Sequence, residues 1–310
     1  MPDDEVDTEE AVPRLVRVGC MFRPENPPET IAAAARTADE VGLDELWVCE
    51  DCFFNGGLSV AAVALANSSR LLIGVGVLPA PLRNVACTAM EIATLDRAYP
   101  GRLRIGIGHG VQDWMGQVGA KVASPLTLLR EYTTALSTLL RGGSVTCAGR
   151  YVTLTNVRLD WPPVTDVNVL LAATGPKTLR LSGQVATGTI IDSCTSPDVL
   201  RDAVSIIRQG SGPGADRRHQ VVSYVASAID DDAYRSIERE GKARRGDFSS
   251  DLVTYGSPER IAHGARRWIA AGADTIVFHP PAGIDIRAFI DTIGSGVQPL
   301  LHEGRGEAVQ

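Results

Sequence analysis

No stretch of this chain gathers the lysines and arginines that a polyanion requires. Its 30 basic residues are scattered among 37 acidic ones and leave a net charge of −7. Nucleic acid and an anionic membrane surface are therefore not expected as partners. No apolar run reaches the roughly 18 residues that span a bilayer, so no membrane association is expected. The opening MPDDEVDTEEAVPRL is acidic where a secretory leader is basic and then apolar. A disulfide framework is missing too. Six cysteines (Cys20, Cys49, Cys52, Cys87, Cys147, Cys194) are spread along the chain, four of them in or beside apolar runs, which suits reduced thiols in a cytoplasm. No His/Asp cluster with ligand spacing falls at a strand end, so neither a bound metal nor a metal-dependent hydrolase is expected. Repeats, low-complexity tracts and linkers are absent as well. Residues 13–304 are expected to form a single domain, flanked by a disordered acidic tail over 1–12 and a short tail over 305–310.

Hydrophobic residues make up 44% of the chain and charged residues 22%, the profile of a globular protein. Strand-like runs alternate with helical periodicity throughout: 15–21, 44–49, 71–78, 103–107, 167–172, 189–191, 221–228 and 275–279 read as eight strands. That alternation predicts an α/β fold, a (β/α)8 TIM barrel, with a doubly wound sheet as the alternative. An excursion over about 142–165 interrupts the pattern as an insertion after strand four. In such folds ligands bind at the C-terminal ends of the strands.

Five strand exits carry chemistry. Glu50 and Asp51 follow strand two, and one of them is expected to face the pocket as an acid, base or hydrogen-bond acceptor. Alternation along a strand keeps both from doing so. Cys49-x-x-Cys52 beside them also fits a redox or zinc pattern, but has no second pair. Strand three contains Gly74 and Gly76 and runs through Val77 to Pro79 and Pro81. Glycine inside a strand marks a bulge or a close backbone approach. Strand four ends in Gly106-Ile107-Gly108-His109-Gly110, which fails the dinucleotide fingerprint at Val111. Here His109 can donate a hydrogen bond or relay a proton. Gln112 and Trp114 follow in what reads as a lid-like loop on the substrate side. Thr174-Gly175-Pro176-Lys177-Thr178 opens a helix, where free N–H groups, a hydroxyl and an ammonium suit an anion, without P-loop spacing. His279 ends the last strand and faces either the pocket or its rim. His219, His263 and His302 read as surface residues.

LWVCED, IGVGVLPAPLRN, GRLRIGIGHG and AATGPKTLRLSGQVATG, in that order, resemble the bacterial luciferase-like superfamily. Within it, the similarity is to the branch that uses the deazaflavin coenzyme F420, including methylenetetrahydromethanopterin reductases. The resemblance spans about 15–278. It implies the same barrel, a non-proline cis peptide at Gly76–Val77 backing the coenzyme ring, and a phosphate site at Ala173, Thr174, Gly175, Lys177 and Thr178. It also implies coenzyme contacts at Glu50, Gly108 and His109. Two departures point away from sugar-phosphate oxidation: Asp51 replaces the relatives' acidic histidine, and Val111 stands where their catalytic glutamate falls. The 111–114 segment implies a more apolar or planar substrate. The expected activity is hydride transfer between F420 and a small organic substrate, with Glu50 or Asp51 and His109 managing protons. A homodimer is expected from the resemblance. The alternatives are an FMN-dependent monooxygenase needing a flavin reductase partner, and a non-catalytic cofactor-binding member.

Overall fold

The computed structural model describes residues 16–212, 218–245 and 249–303. The expected tails, the domain limits at 13 and 304, and Leu15 at the start of strand one lie outside the described residues. In chain order the elements begin with β1 (Arg17–Met21), α1 (Ile31–Glu40), β2 (Glu45–Val48), α2 (Gly57–Ala66), β3 (Leu72–Pro79), α3 (Val85–Ala98), β4 (Leu103–Gly108), α4 (Gln112–Gln117) and α5 (Pro125–Leu140). They continue with β5 (Val145–Ala148), β6 (Thr153–Val157), β7 (Asn168–Ala172), α6 (Pro176–Val185), β8 (Gly188–Ile191), α7 (Pro197–Ser211), β9 (Gln220–Ala228) and α8 (Asp231–Arg245). β10 (Val253–Tyr255), α9 (Pro258–Ala270), β11 (Thr275–His279), α10 (Ile286–Asp291) and α11 (Gln298–Glu303) complete the chain, with a π-helical turn over Thr292–Val297.

Eight parallel strands close on themselves in the order β1-β2-β3-β4-β7-β8-β9-β11, with β11 returning to β1. The pairing of β8 with β9, which closes the sheet, rules out the doubly wound alternative. β10 lies outside the closed ring, pairing with Ala226–Ala228 at the end of β9; three residues are too few to show a period in the sequence. The insertion is an antiparallel hairpin, β5 with β6, placed after α5. Two carboxylates pin it. Asp96 accepts from the Val164 and Thr165 amides. Glu131 accepts from Arg150, Tyr151 and Val152.

Strand alternation sorts the barrel into two layers. Val18, Cys20, Leu46, Val48, Ile73, Val75, Ile105 and Ile107 face the surrounding helices. Met21, Trp47, Leu170, Ile190, Val222, Tyr224 and Val277 fill the interior. Below that plug sits a buried charged floor. Arg104 donates to Glu45, Gln220 and Thr275, its guanidinium lies 5.6 Å from the Trp47 ring, and Trp47 Nε1 donates to the other Glu45 oxygen at 2.7 Å. Apolar middle and polar floor close the barrel from below, leaving its C-terminal mouth for ligands.

Candidate active site

The mouth is shaped first by what the interior excludes. A Cβ at Gly74 would lie 2.3 Å from the Trp47 ring, and one at Gly76 would lie 1.8 Å from the Tyr224 hydroxyl. Both strand glycines therefore make room for large interior side chains. The Tyr224 hydroxyl donates to the Gly76 carbonyl at 3.3 Å, and burial pushes its pKa well up, so it stays a neutral donor. The β3–β4 register slips between Val75 and Leu78, and the Gly76–Val77 peptide inside this bulge is cis, as the resemblance implies; a second non-proline cis peptide joins Cys52 and Phe53. Val77 leans onto β4: a Cβ at Gly108 would meet Val77 Cγ2 at 2.5 Å, and one at Gly106 would meet Val77 Cγ1 at 2.9 Å.

β2 ends at Val48, so strand alternation no longer governs the two carboxylates after it, and both Glu50 and Asp51 contribute to the cleft wall. Both oxygens of the Glu50 carboxylate are engaged. It accepts from the Gly57 amide at the start of α2 (2.8 Å), and from Arg83 Nε (2.9 Å) and Nη2 (3.0 Å). Arg83 also donates to Glu91 at 2.6 Å. Hydrogen bonding to Glu50 outweighs burial and raises the arginine's pKa further. Glu50 is thus a fixed anion that ties the β2 exit to α2 and to the segment preceding α3.

On the β4 side, His109 Nδ1 lies 2.8 Å from the Gly110 carbonyl. A carbonyl can only accept, so Nδ1 carries a hydrogen, which leaves Nε2 as the position that can take or give up a proton. Gln112 Nε2 donates to the carbonyls of His109 (3.2 Å) and Gly110 (3.3 Å). Gly110 turns the chain at φ +68° against Met115. The segment read as a lid-like loop is the short helix α4, with Met115 as its buried anchor.

These elements enclose a cleft of about 240 Å³ lined by Glu50, Asp51, Val77, Pro79, Gly108, His109, Gly110, Val111, Gln112, Trp114 and Ala172. It unites seven of the candidate site residues named from the sequence: Glu50, Asp51, Val77, Gly108, His109, Gln112 and Trp114. Gly76 lies behind Val77. Ala173 is buried, its amide donating to the Ile190 carbonyl at 3.2 Å, and Thr174, Gly175, Lys177 and Thr178 follow the wall residue Ala172 into the first turn of α6 without lining the cleft. Gly175 is the N-cap of that helix. A Cβ there would meet nothing within 4 Å, and Thr174 and Lys177 are exposed. Open space, helix amides and an ammonium fit a phosphate group. His279 ends β11 half-buried and is not part of the wall.

Sequence reasoning missed two arginines. Arg83 carries no periodic signal, only its place between a proline-rich turn and the Asn84 helix cap. Arg23 follows β1 and is 4% exposed. It grips Glu25 with two bonds and reaches Glu240 (2.8 Å) and the Pro280 carbonyl (3.0 Å), joining the β1 and β11 exits to α8. Two surface assignments need correction. His219 is lowered to a pKa of about 4 by burial, with Nε2 2.7 Å from the Thr189 hydroxyl. His302 Nε2 lies 3.1 Å from the Val16 carbonyl. Cys49 and Cys52 are free thiols, and burial raises the Cys49 pKa well above its usual range. No metal-ligating cluster occurs among the described residues, and no described helix is long and apolar enough to cross a membrane.

Comparison with known proteins adds a family to this geometry. The family model described as luciferase-like monooxygenase matches residues 12–237. A 5,10-methylenetetrahydromethanopterin reductase of Methanolobus tindarius is 30% identical over 220 residues, covering 70% of this chain and 67% of that protein. An F420-dependent glucose-6-phosphate dehydrogenase of Nakamurella multipartita is 24% identical over 317 residues, covering 88% and 93%. The solved structure of a coenzyme F420-dependent tetrahydromethanopterin reductase from Methanopyrus kandleri superposes with a TM-score of 0.78 at 23% identity, over 92% of this chain and 99% of that one.

Proposed function

The chain belongs to the luciferase-like monooxygenase family, and from that premise we propose that it is an F420-dependent oxidoreductase acting on a small organic substrate. Relatives named as F420-dependent support the coenzyme. The observation that carries the reading is the conjunction of two features three residues apart: a cleft wall ending at Ala172, and an open helix N-terminus at Gly175.

When bound, the coenzyme supplies hydride donation or acceptance at its ring. The chain does the rest. Val77, held forward by the bulge and by Tyr224, supports the ring. Thr174, the first-turn amides of α6, Lys177 and Thr178 hold the phosphate. Glu50, immobilised by Arg83 and Gly57, serves as a fixed acceptor. Asp51 and His109 Nε2 hold and move the proton that accompanies hydride. Gln112 and Trp114 face the substrate; His279 belongs to the outer rim. The proposal includes a cytoplasmic location, in keeping with cysteines that form no disulfide among the described residues. It also includes a homodimer, supported by exposed Val63 and Met90 on the neighbouring helices α2 and α3. Sedimentation velocity tests the dimer.

Gly175→Asp tests the phosphate assignment. It places a carboxylate at the helix N-terminus, at a position where an added Cβ meets nothing within 4 Å. It should raise the F420 dissociation constant at least roughly tenfold, about 1.4 kcal/mol, while the melting temperature stays within error. Unchanged affinity would show the phosphate lies elsewhere.

A further inference from the structure

The walls of the same cleft also constrain what it admits, an inference that rests on the oxidoreductase reading. Among the described residues no lysine or arginine lines the cleft; its ionisable wall residues are Glu50, Asp51 and His109. Arg83, the cation bonded to the wall residue Glu50, is shared between two carboxylates, Glu50 and Glu91, so that network carries surplus negative charge. On the substrate side, away from Lys177 and the α6 N-terminus, an incoming phosphate or carboxylate meets repulsion from these carboxylates. Apart from Gln112, the remaining side chains of the wall are apolar. Val77 and Pro79 line the β3 exit, and Val111 and Trp114 line the β4 exit.

A second observation comes from the β2 exit. The chain turns directly after Asp51, with the Phe54 amide donating to the Asp51 carbonyl at 2.9 Å. That turn presents two adjacent phenyl rings, Phe53 and Phe54, 64% and 58% exposed. Beyond it, Asn55 is tied back to the carbonyls of Pro24 and Asn26, so the rings are held on an anchored turn. Neither ring is part of the cleft wall, but the pair follows the wall residue Asp51 by two and three positions, and adjacent exposed aromatic rings beside a cleft mark a ligand-contacting surface. Because β3 lies between β2 and β4 in the barrel, this turn and the Val111–Trp114 segment flank the same exit.

We infer that the substrate is an uncharged molecule with a flat apolar ring, taken up between Phe53 and Phe54 on one side and Val111 and Trp114 on the other. Substrates that carry a phosphate or carboxylate on that ring are turned away by the Glu50–Arg83–Glu91 network, whereas the coenzyme's phosphate is assigned apart from it, to the N-terminus of α6.

The test holds the ring constant and changes the charge. Saturation-transfer NMR on the full chain, with and without F420, compares 2-naphthol with 2-naphthyl phosphate. The neutral probe should bind at least tenfold more tightly. The substitutions Phe53→Ser with Phe54→Ser, both at exposed positions, should weaken 2-naphthol at least fivefold, and Val111→Arg, made separately, should narrow or reverse the preference between the two probes. The inference is overturned if the phosphate binds as tightly as the naphthol, if 2-naphthol does not bind, or if its affinity is unchanged in the Phe53/Phe54 variant. A parallel F420 fluorescence titration separates the two claims: loss of coenzyme binding sinks the oxidoreductase reading, whereas the naphthol comparison is read on the coenzyme-free chain as well.

Discussion

Gly76 and Tyr224 illustrate how much of the cleft depends on single atoms. The space a methyl group would need at residue 76 is already filled by the Tyr224 hydroxyl, and that hydroxyl donates to the Gly76 carbonyl. Gly76→Ala should therefore cost about 1–3 kcal/mol through overpacking. Adding Tyr224→Phe should recover part of that loss, because it removes the clashing oxygen while the remaining ring carbon, at 3.1 Å, stays tight. Urea midpoints of the two single variants and the double variant measure the coupling; strictly additive losses would show that the two residues do not meet as described. The sequence marked Gly76 and Gly108 as places where something comes close, and that was legible because glycine in a strand has few other uses. What comes close was not: Trp47, Tyr224 and Val77 are ordinary core residues in the sequence, and only the closed barrel brings β9 against β3. Glu50 was legible as a pocket carboxylate. Its engagement by Arg83 was not, since residues 50 and 83 are joined only through the parallel pairing of β2 and β3.

At the scale of elements, the strands and most helices could be read from apolar periodicity, which survives in a single sequence because each strand must present one face to the helices. The short elements escaped: α4, because six residues hold less than two turns, and β10, because three residues show no alternation. Two carboxylates hold the β5–β6 insertion. Burial would raise the Glu131 pKa, but the Tyr151, Arg150 and Val152 amides outweigh it and the net shift is downward. Glu131→Gln should leave the barrel intact and raise amide exchange at 150–152 roughly tenfold, measurable by hydrogen–deuterium exchange; unchanged protection there would mean the carboxylate does not pin the hairpin. His219, between α7 and β9, carries a pH dependence. Folded, its ring stays neutral down to about pH 4 because of burial, with the Ala186 backbone bond opposing the shift. Unfolded, it takes a proton near pH 6.5. The unfolded state binds more protons between these values, so stability falls as pH drops through that window, by up to about 3 kcal/mol. His219→Gln should flatten that part of the profile in pH-dependent urea titrations; an unaltered slope would assign it to other groups.

Across the whole molecule, the charged floor is what the barrel can least lose. Glu45 is fully buried and faces Arg104, with Arg17 at 3.9 Å. Glu45→Ala leaves a buried guanidinium without its carboxylate and should destabilise the protein by about 3–5 kcal/mol. Because the eight barrel strands share one closed sheet, thermal unfolding of that variant should remain a single transition, as calorimetry can check; two transitions would contradict the one-domain reading. The barrel could be foreseen from eight alternating strands, whereas the floor could not, since Glu45, Arg104, Gln220 and Thr275 are separated in sequence and meet only on closure. The central claim concerns the coenzyme, and side-by-side titration of the purified chain with F420 and FMN tests it most directly. The account predicts saturable F420 binding at least roughly tenfold tighter than FMN, weakened by Gly175→Asp; tight FMN binding with none for F420 would contradict it.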